Sequence, residues 1–320
     1  MKSAKAQDVD PTPLDEAARA AWLSYVGGKT QDQIAKDMGI SRQRVQRLVS
    51  RAVAEGLIHV RLEHRLSNCL SLEAELIRKF GLRLARVAPS LGPGADPMRS
   101  VAPIAAQELE RILDTETPLT LAVGTGRSLR AAIEELRNMD CRHHRVVSLI
   151  GNIALDGSAT FFDVIMRVAE KIQATHYPMP LPVLASSEEE RAALHALAPV
   201  AQSRELAKRA DVAFVGIGQM NDSAPLMTDG FLSPEEMEQL QAQGATGEIA
   251  SWIYDASGKY MDLDLHRLFT GVRVNPPTDN LVVAVAAGEA KHKALAAALA
   301  GKLVNGLITE ENTAAALLQQ

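Results

Sequence analysis

The sequence predicts two domains of different class, an N-terminal all-α winged helix-turn-helix domain and a larger α/β domain built on a mostly parallel sheet. Three observations carry this. The 320-residue length suits two domains of ordinary size. Residues 30–55, TQDQIAKDMGISRQRVQRLVSRAVAE, have the layout of two short crossing helices. From Leu84 onward, short apolar runs alternate with amphipathic segments long enough to be crossover helices.

Residues 1–13 are polar and Pro-bearing and read as a disordered lead, so the head spans 14–65. Asp15 to Val26 reads as a helix, with Ala18, Ala21, Trp22 and Tyr25 at helical spacing. Gln31 to Met38 is the next, Gly39 makes the turn, and Ser41 is placed to cap the third. Ile34, Ala35, Ile40, Val45, Leu48 and Val49 fall where the helices bury side chains, while Arg42, Gln43, Arg44, Gln46 and Arg47 crowd exposed positions. Arg pairs with guanine O6/N7 and Gln with adenine N6/N7 in the major groove, so Gln43, Arg44 and Arg47 are placed for base edges. Ser41, Arg42 and Arg51 suit phosphates, and Thr30 and Gln31 at the start of the first helix of the motif complete the candidate DNA contacts. The bland alternative is a helical hairpin with a solvated charged face. Gly56-Leu-Ile-His-Val-Arg-Leu reads as a strand or wing.

Leu66 to Phe80 forms a helix with apolar Leu70, Leu72, Leu76, Ile77 and Phe80. Residues 66–83 read as a connector or dimer contact, with packing onto the body equally open. In the body, residues 84–320, the runs LARVAP, LTLAVG, RVVSLIG, LPVLA, VAFVGIG and LVVAVAAG read as strands. Helices are expected over 98–114, 127–138, 161–174, 188–209 and 289–301. Gly244 to Tyr260 reads as two strands joined by an Asp255–Gly258 turn, in preference to a calcium loop, because too few carboxylates follow.

Composition is globular, 47% hydrophobic and 23% charged. With neither a secretory leader nor an apolar run of about 18 residues, a soluble cytoplasmic protein is expected. Cys69 and Cys141 offer neither a disulfide framework nor metal-ligand spacing, so no metal or other cofactor is expected. The net charge of −5 hides an asymmetry: residues 1–65 carry 11 Lys/Arg and 8 Asp/Glu, the remaining 255 carry 23 and 31. A basic head on an acidic body fits phosphate contact by the head alone.

Parallel sheets bind ligands at the carboxyl ends of their strands. The first such end is Gly124-Thr125-Gly126-Arg127-Ser128, where a strand runs into a helix whose free N–H groups favour an anion. Turns of this kind also occur for close packing, and this one lacks the P-loop Lys and the third Gly of a dinucleotide fingerprint. Gly216, Gly218 and Gln219 form a second strand end and Asn152 stands at a third. Glu248 is a candidate acceptor for sugar hydroxyls and Lys291 a candidate countercharge for an anion, although each alone reads as a surface charge. His143-His144 read as a solvated pair, and neither Ser/His/Asp ordering nor HExxH occurs.

Together, QDQIAKDMGISRQRVQRLVSRAVAEGLI, VGTGRSL, VGIG, GEIASWIYDASGK and the run from Val282 to Leu318 resemble the SorC family of bacterial transcriptional regulators, sugar-binding proteins grouped with DeoR-like repressors. The resemblance covers roughly residues 17–318. It implies a winged helix-turn-helix joined to an effector domain with the fold of sugar-phosphate isomerases and deaminases. It also implies control of a carbohydrate or polyol operon, double-stranded operator DNA as partner, and homo-dimers or tetramers. In the family the loop matching Gly124–Ser128 holds the effector's phosphate or terminal hydroxyls, and positions matching Glu248 and Lys291 face the pocket. Many members have Gly-Asp where this chain has Gly247-Glu248. Two other classes compete. A sugar-phosphate isomerase or deaminase would need a placed base, Glu248 or Asp163, and would not need the DNA-reading helix. A ligand-free DNA-binding protein would leave the strand-end loops unexplained.

Overall fold

The computed structural model describes residues 12–58, 66–154, 156–158, 164–275 and 280–319. The chain forms two compact units, Met1–Glu63 and His64–Gln320.

In the first unit, α1 (Pro13–Tyr25), α2 (Gln31–Met38) and α3 (Arg42–Ala54) pack around Ala17, Ala20, Ala21, Ile34, Val45, Leu48 and Ala52. Each start is capped by a short hydroxyl side chain: Thr12 on α1, Thr30 on α2 and Ser41 on α3. Gly39 ends α2 at φ 65°, a left-handed conformation that costs glycine little. The small Ala17, Ala20 and Ala21 let α1 approach α3 closely, while Ala18, Trp22 and Tyr25, whose spacing with Ala21 reads as the packing face, are exposed, Trp22 by 66%. Of the expected wing, residues 56–62, only 56–58 are described and they form no strand; the rest lie outside the described residues.

The second unit holds a seven-stranded sheet in the order β1-β10-β9-β5-β2-β3-β4, every pairing parallel. The strands are β1 (Leu84–Ala88), β2 (Thr120–Val123), β3 (Arg145–Ser148), β4 (Thr175–Tyr177), β5 (Val212–Val215), β9 (Leu281–Val285) and β10 (Gly306–Glu310). Alternation along each strand supplies both faces. Val212 and Phe214 join one apolar cluster with α5 (Met98–Leu113), α6 (Arg127–Glu134) and α7 (Ile165–Ile172). Ala213 and Val215 join the other, with α4 (Ser67–Phe80), α9 (Ala198–Lys208), α12 (His292–Ala300) and α13 (Glu311–Gln319). A small antiparallel sheet, β6 (Gly218–Gln219), β7 (Ala245–Ile249) and β8 (Trp252–Asp255), follows the end of β5.

Of the roles open for the helix in residues 66–83, packing onto the body is observed: α4 lies against β1 and α13 through Cys69 and Leu76. Several other expectations change. The run LPVLA joins no strand: Pro182 lacks an N–H, and only isolated bridges from Pro182 to Ile153 and from Leu184 to Phe269 form. β4 holds the sheet edge in its place. The helix expected over 188–209 is two, α8 (Glu188–Ala196) and α9, broken at Leu197, with Pro199 in the first turn of the second. The hairpin turns at Ala250-Ser251, both at positive φ (49° and 72°), and the Asp255–Gly258 turn lies beyond β8. His144 is buried, taking an N–H from Leu119 on Nδ1 and meeting the Leu113 carbonyl at 2.9 Å; burial pushes its pKa down.

Candidate functional site

On α3, about 100° of rotation per residue separates three faces. Val45, Leu48 and Ala52 point into the unit, and Gln43 and Arg47 stand opposite them, exposed. Gln46 lies nearby on the exposed surface. Arg44 flanks this face and is drawn to α1, its Nη2 2.8 Å from Glu16 Oε2. Arg42 sits 3.5 Å from Asp32 on α2, and Arg51 lies 3.6 Å from Glu55. Thr30 spends its hydroxyl on the cap of α2, accepting from Gln33 N at 3.4 Å, and Gln31 opens that helix half-buried. Arg47 and Gln43 therefore hold the outward centre of the helix, with the other cations at its flanks.

In the second unit, connections after β2 run one way along the sheet and those after β5 the other, so the crevice opens between these two strands. Gly124 N donates to Phe214 O at 2.9 Å, binding the two strand ends together. A cavity of about 410 Å³ lies there. Gly124, Thr125, Gly126, Arg127 and Ser128 line it, as do Gly216, Gly218 and Gln219, with Glu248 and Lys291. Asn152 is not among its lining residues; its backbone N is taken up by Met179 O. Asp163, the other base considered, lies outside the described residues.

Each side chain is positioned by its element. Gly126, at φ 118°, turns the chain into α6, so the Arg127 and Ser128 amides open a helix at the cavity wall. Arg127 reaches across to Thr228 at 3.3 Å and Asp229 at 3.8 Å. Glu248, opposite Gly218 across β6 and β7, accepts from Ser251 N at 2.7 Å. Burial pushes its pKa up, against that hydrogen bond and the charge of Lys291. Lys291 closes a short 3₁₀ turn, Glu289–Lys291, and its Nζ donates to Ile217 O at 2.6 Å. Burial pushes its pKa down, opposed by Glu248. Gln219 lines the cavity and keeps a buried Oε1 without a hydrogen-bond partner among the described residues.

Sequence reasoning missed several participants, among them Asp96, Ser251 and Glu289 on the lining. Asp229 and Phe231 reach the cavity from the segment before α11 (Pro234–Ala242), which carries no strand-end signal. Glu310 accepts from Thr313 Oγ1, and Thr313 Oγ1 accepts from Gly288 N at 2.9 Å, fixing the loop that presents Lys291. Both are buried polar residues, a pattern visible only once burial is known. Among the described residues no group of three or more His, Cys, Asp or Glu could hold a metal, and no helix is long and apolar enough to cross a membrane.

The chain is similar to known proteins over nearly its whole length. Residues 64–319 match the sugar-binding domain model Sugar-bind, and residues 12–61 match a homeodomain-like helix-turn-helix model. It is 32% identical to the erythritol catabolism regulatory protein EryD of Brucella abortus, over 95% of this chain and 96% of that one. It is 36% identical to the transcriptional regulator LsrR of an Enterobacter species, over 96% and 94%. The full-length sorbitol operon regulator SorC of Klebsiella pneumoniae superposes with a TM-score of 0.72 at 25% identity, covering 94% of this chain and 97% of that one. These relatives are regulators rather than isomerases or deaminases, and the chain carries both of their domains. It belongs to the SorC family of sugar-binding, DNA-binding transcriptional regulators.

Proposed function

We propose that this regulator reads double-stranded operator DNA through the outward face of α3 and is switched by a sugar, polyol or sugar phosphate bound in the cavity. The observation that carries the second half is convergence. Loops from β2, β5 and β9, distant in sequence, meet Glu248 from the small sheet around one cavity at the switch point of the parallel sheet.

The lining favours hydroxyl groups over multiple negative charges. Asp96, Asp229, Glu248 and Glu289 face it against Arg127 and Lys291, and Arg127 already lies beside Asp229. A neutral polyol or sugar therefore fits best, with Glu248 and Gln219 accepting from hydroxyls and the amides of the Gly124–Ser128 loop donating. The Brucella relative is named for erythritol catabolism, so tetritols head the probe set, followed by pentitols, hexitols and their phosphates.

On α3, Gln43 and Arg47 take base edges. Arg42, Arg44 and Arg51, at the flanks and paired in the free protein, take phosphates with Ser41, Thr30 and Gln31 beside them, and Gln46 bridges the two groups. Assigning Arg44 to phosphate replaces the base-edge role expected from its sequence position. Two-fold pairs of chains, dimers or tetramers acting in the cytoplasm, would place two α3 helices on half-sites about 10 bp or a multiple apart. An effector alters operator affinity only through its preference for one arrangement of the assembly, typically about 1–3 kcal/mol.

The test is Ser128→Glu in the full chain. A carboxylate at this buried position crowds a neutral effector and repels an anionic one. A thermal-shift screen of the wild type selects the effector, and calorimetry with gel shift then compares the two forms. Effector binding should be lost and operator binding kept. Normal effector affinity in the variant would place the pocket elsewhere.

A further inference from the structure

A second depression of about 400 Å³ shares no lining residue with the effector cavity. It is bounded by α8, α9, Trp252 on β8 and the segment Met261–Asn275. Five cations line it, Arg191, Arg204, Lys208, Arg267 and Arg273, against one carboxylate, Asp262. This is unexpected in a body whose sequence is net acidic.

The rim cations are compensated: Lys208 sits 2.6 Å from Glu205, and Arg267 lies 3.8 Å from Glu188 and 3.7 Å from Asp264. The other three arginines donate hydrogen bonds only to neutral groups among the described residues, and Arg204 adds a longer-range attraction to Glu205, which Lys208 already pairs. Arg191 Nε donates to Phe269 O at 2.6 Å, and Arg204 Nη1 donates to the carbonyls of Thr270 and Gly271. Arg273 Nε donates to Asn275 Oδ1 at 2.8 Å, and its guanidinium lies over the rings of Tyr260 and Trp252, 5.0 and 5.5 Å from their centroids. Each guanidinium is thus oriented through one nitrogen and keeps further N–H donors, which spares a ligand much of the ordering cost. Burial, and then the charge of Arg191, pushes the pKa of Arg204 down. His195 and His266 are pushed down to about 4, burial being the main cause of each, so neither adds charge at neutral pH. Like charges crowded at a partly desolvated floor are unfavourable until an anion joins them.

We propose that this groove is a second ligand site, for a small multivalent oxyanion held by Arg191, Arg204 and Arg273 with Lys208 at the rim. Planar guanidinium forks match phosphate and carboxylate oxygens two at a time, and the volume suits a small molecule. The site is independent of the effector cavity and does not rest on its assignment.

The full chain is titrated by calorimetry at low salt with pyrophosphate and, separately, with citrate. One saturable site that weakens steeply with added salt is expected for at least one of them. Binding of both assigns oxyanions generally, and binding of pyrophosphate alone assigns phosphate esters. Arg191→Gln and Arg273→Ala should each weaken binding roughly tenfold or more. Arg273 is exposed but packs on two aromatic rings, so a thermal melt of its variant separates loss of binding from loss of fold. Ser128→Glu, in the other cavity, should leave the anion titration unchanged. Affinity retained in both arginine variants, or lost in Ser128→Glu, overturns the proposal. So does the lack of a saturable signal for either anion; altered sedimentation of the arginine variants would then assign the cluster to a subunit contact.

Discussion

Gly218→Ala is the most incisive perturbation of the proposed effector cavity, because it displaces the Glu248 carboxylate without removing it. A Cβ on Gly218 would lie 2.0 Å from Glu248 Oε1 and 2.8 Å from its Cδ and Cγ, so the carboxylate must swing away. Gly218 does not occupy the left-handed region, so the backbone itself tolerates alanine. The swing gives up the bond from Ser251 N to Glu248 Oε2, or else the small sheet shifts. Either route costs about 1–3 kcal/mol, the range for overpacking and for losing a hydrogen bond to a charged group. At about 2–4 °C per kcal/mol for a domain of this size, melting should fall by on the order of 2–12 °C. Removing the obstacle reverses the sign. In a Glu248→Ala background, Gly218→Ala should be neutral or stabilise slightly, since alanine restricts the unfolded chain. Thermal melts of the four proteins give the coupling energy, and gel shifts with and without effector give the function. Gly218→Ala should keep operator affinity and lose the effector response. An equal cost of Gly218→Ala in both backgrounds, or an unchanged response, would refute the geometry.

Two further predictions follow from the site and from α3. Arg47→Ala should cost about 1–3 kcal/mol on the operator and relax base preference, while Arg42→Ala should weaken all sequences alike; footprinting and gel shift on operator and scrambled DNA separate the two. Effector affinity should fall as pH drops through the raised pKa of Glu248, because only the ionised carboxylate accepts hydroxyl bonds at both oxygens. The same shift carries a stability cost. The folded pKa lies above the unfolded one, so stability declines as pH rises from the ordinary carboxylate range through the folded value. Glu248→Gln should therefore melt higher at neutral pH and flatten the pH dependence of effector binding, checked by melts and calorimetry from about pH 5 to 8.

The parts of this molecule legible in its sequence are those fixed by local chemistry. Gly39 reads as the turn after Gln31–Met38 and Ser41 as the cap of the next helix, and the structure uses both residues in those roles. The buried strands read as unbroken apolar runs because helices cover both faces of the sheet, as Val212–Val215 shows. The strand ends and their glycines followed directly, and with them the two strand-end loops of the cavity wall. LPVLA was misplaced on the same logic: its apolar content is real, since Leu181, Val183 and Ala185 are buried, but Pro182 denies it a ladder and burial alone does not make a strand.

What stayed illegible depends on partners remote in sequence. The hairpin turn falls on Ala250-Ser251, which carries no turn signal. The Asp and Gly that do carry one form the next turn, where Gly258 lies against Gly301 and the end of α12. Two consecutive L-residues at positive φ are held at a cost, commonly of order 1–3 kcal/mol each, and such strain persists only where surroundings over-determine it. Here the turn brings Ser251 N to 2.7 Å from Glu248 Oε2, and both turn residues line the cavity. A two-residue hairpin loop takes positive φ at both central residues to match the strand twist, and here the same geometry presents an amide to a desolvated carboxylate. The strain and the raised pKa of Glu248 are thus two costs paid at one place, where a ligand's hydroxyls can offset the second by replacing the water that burial removed. That coincidence of strain and desolvated charge at one cavity wall is a physical reason, apart from any resemblance, to place the effector there.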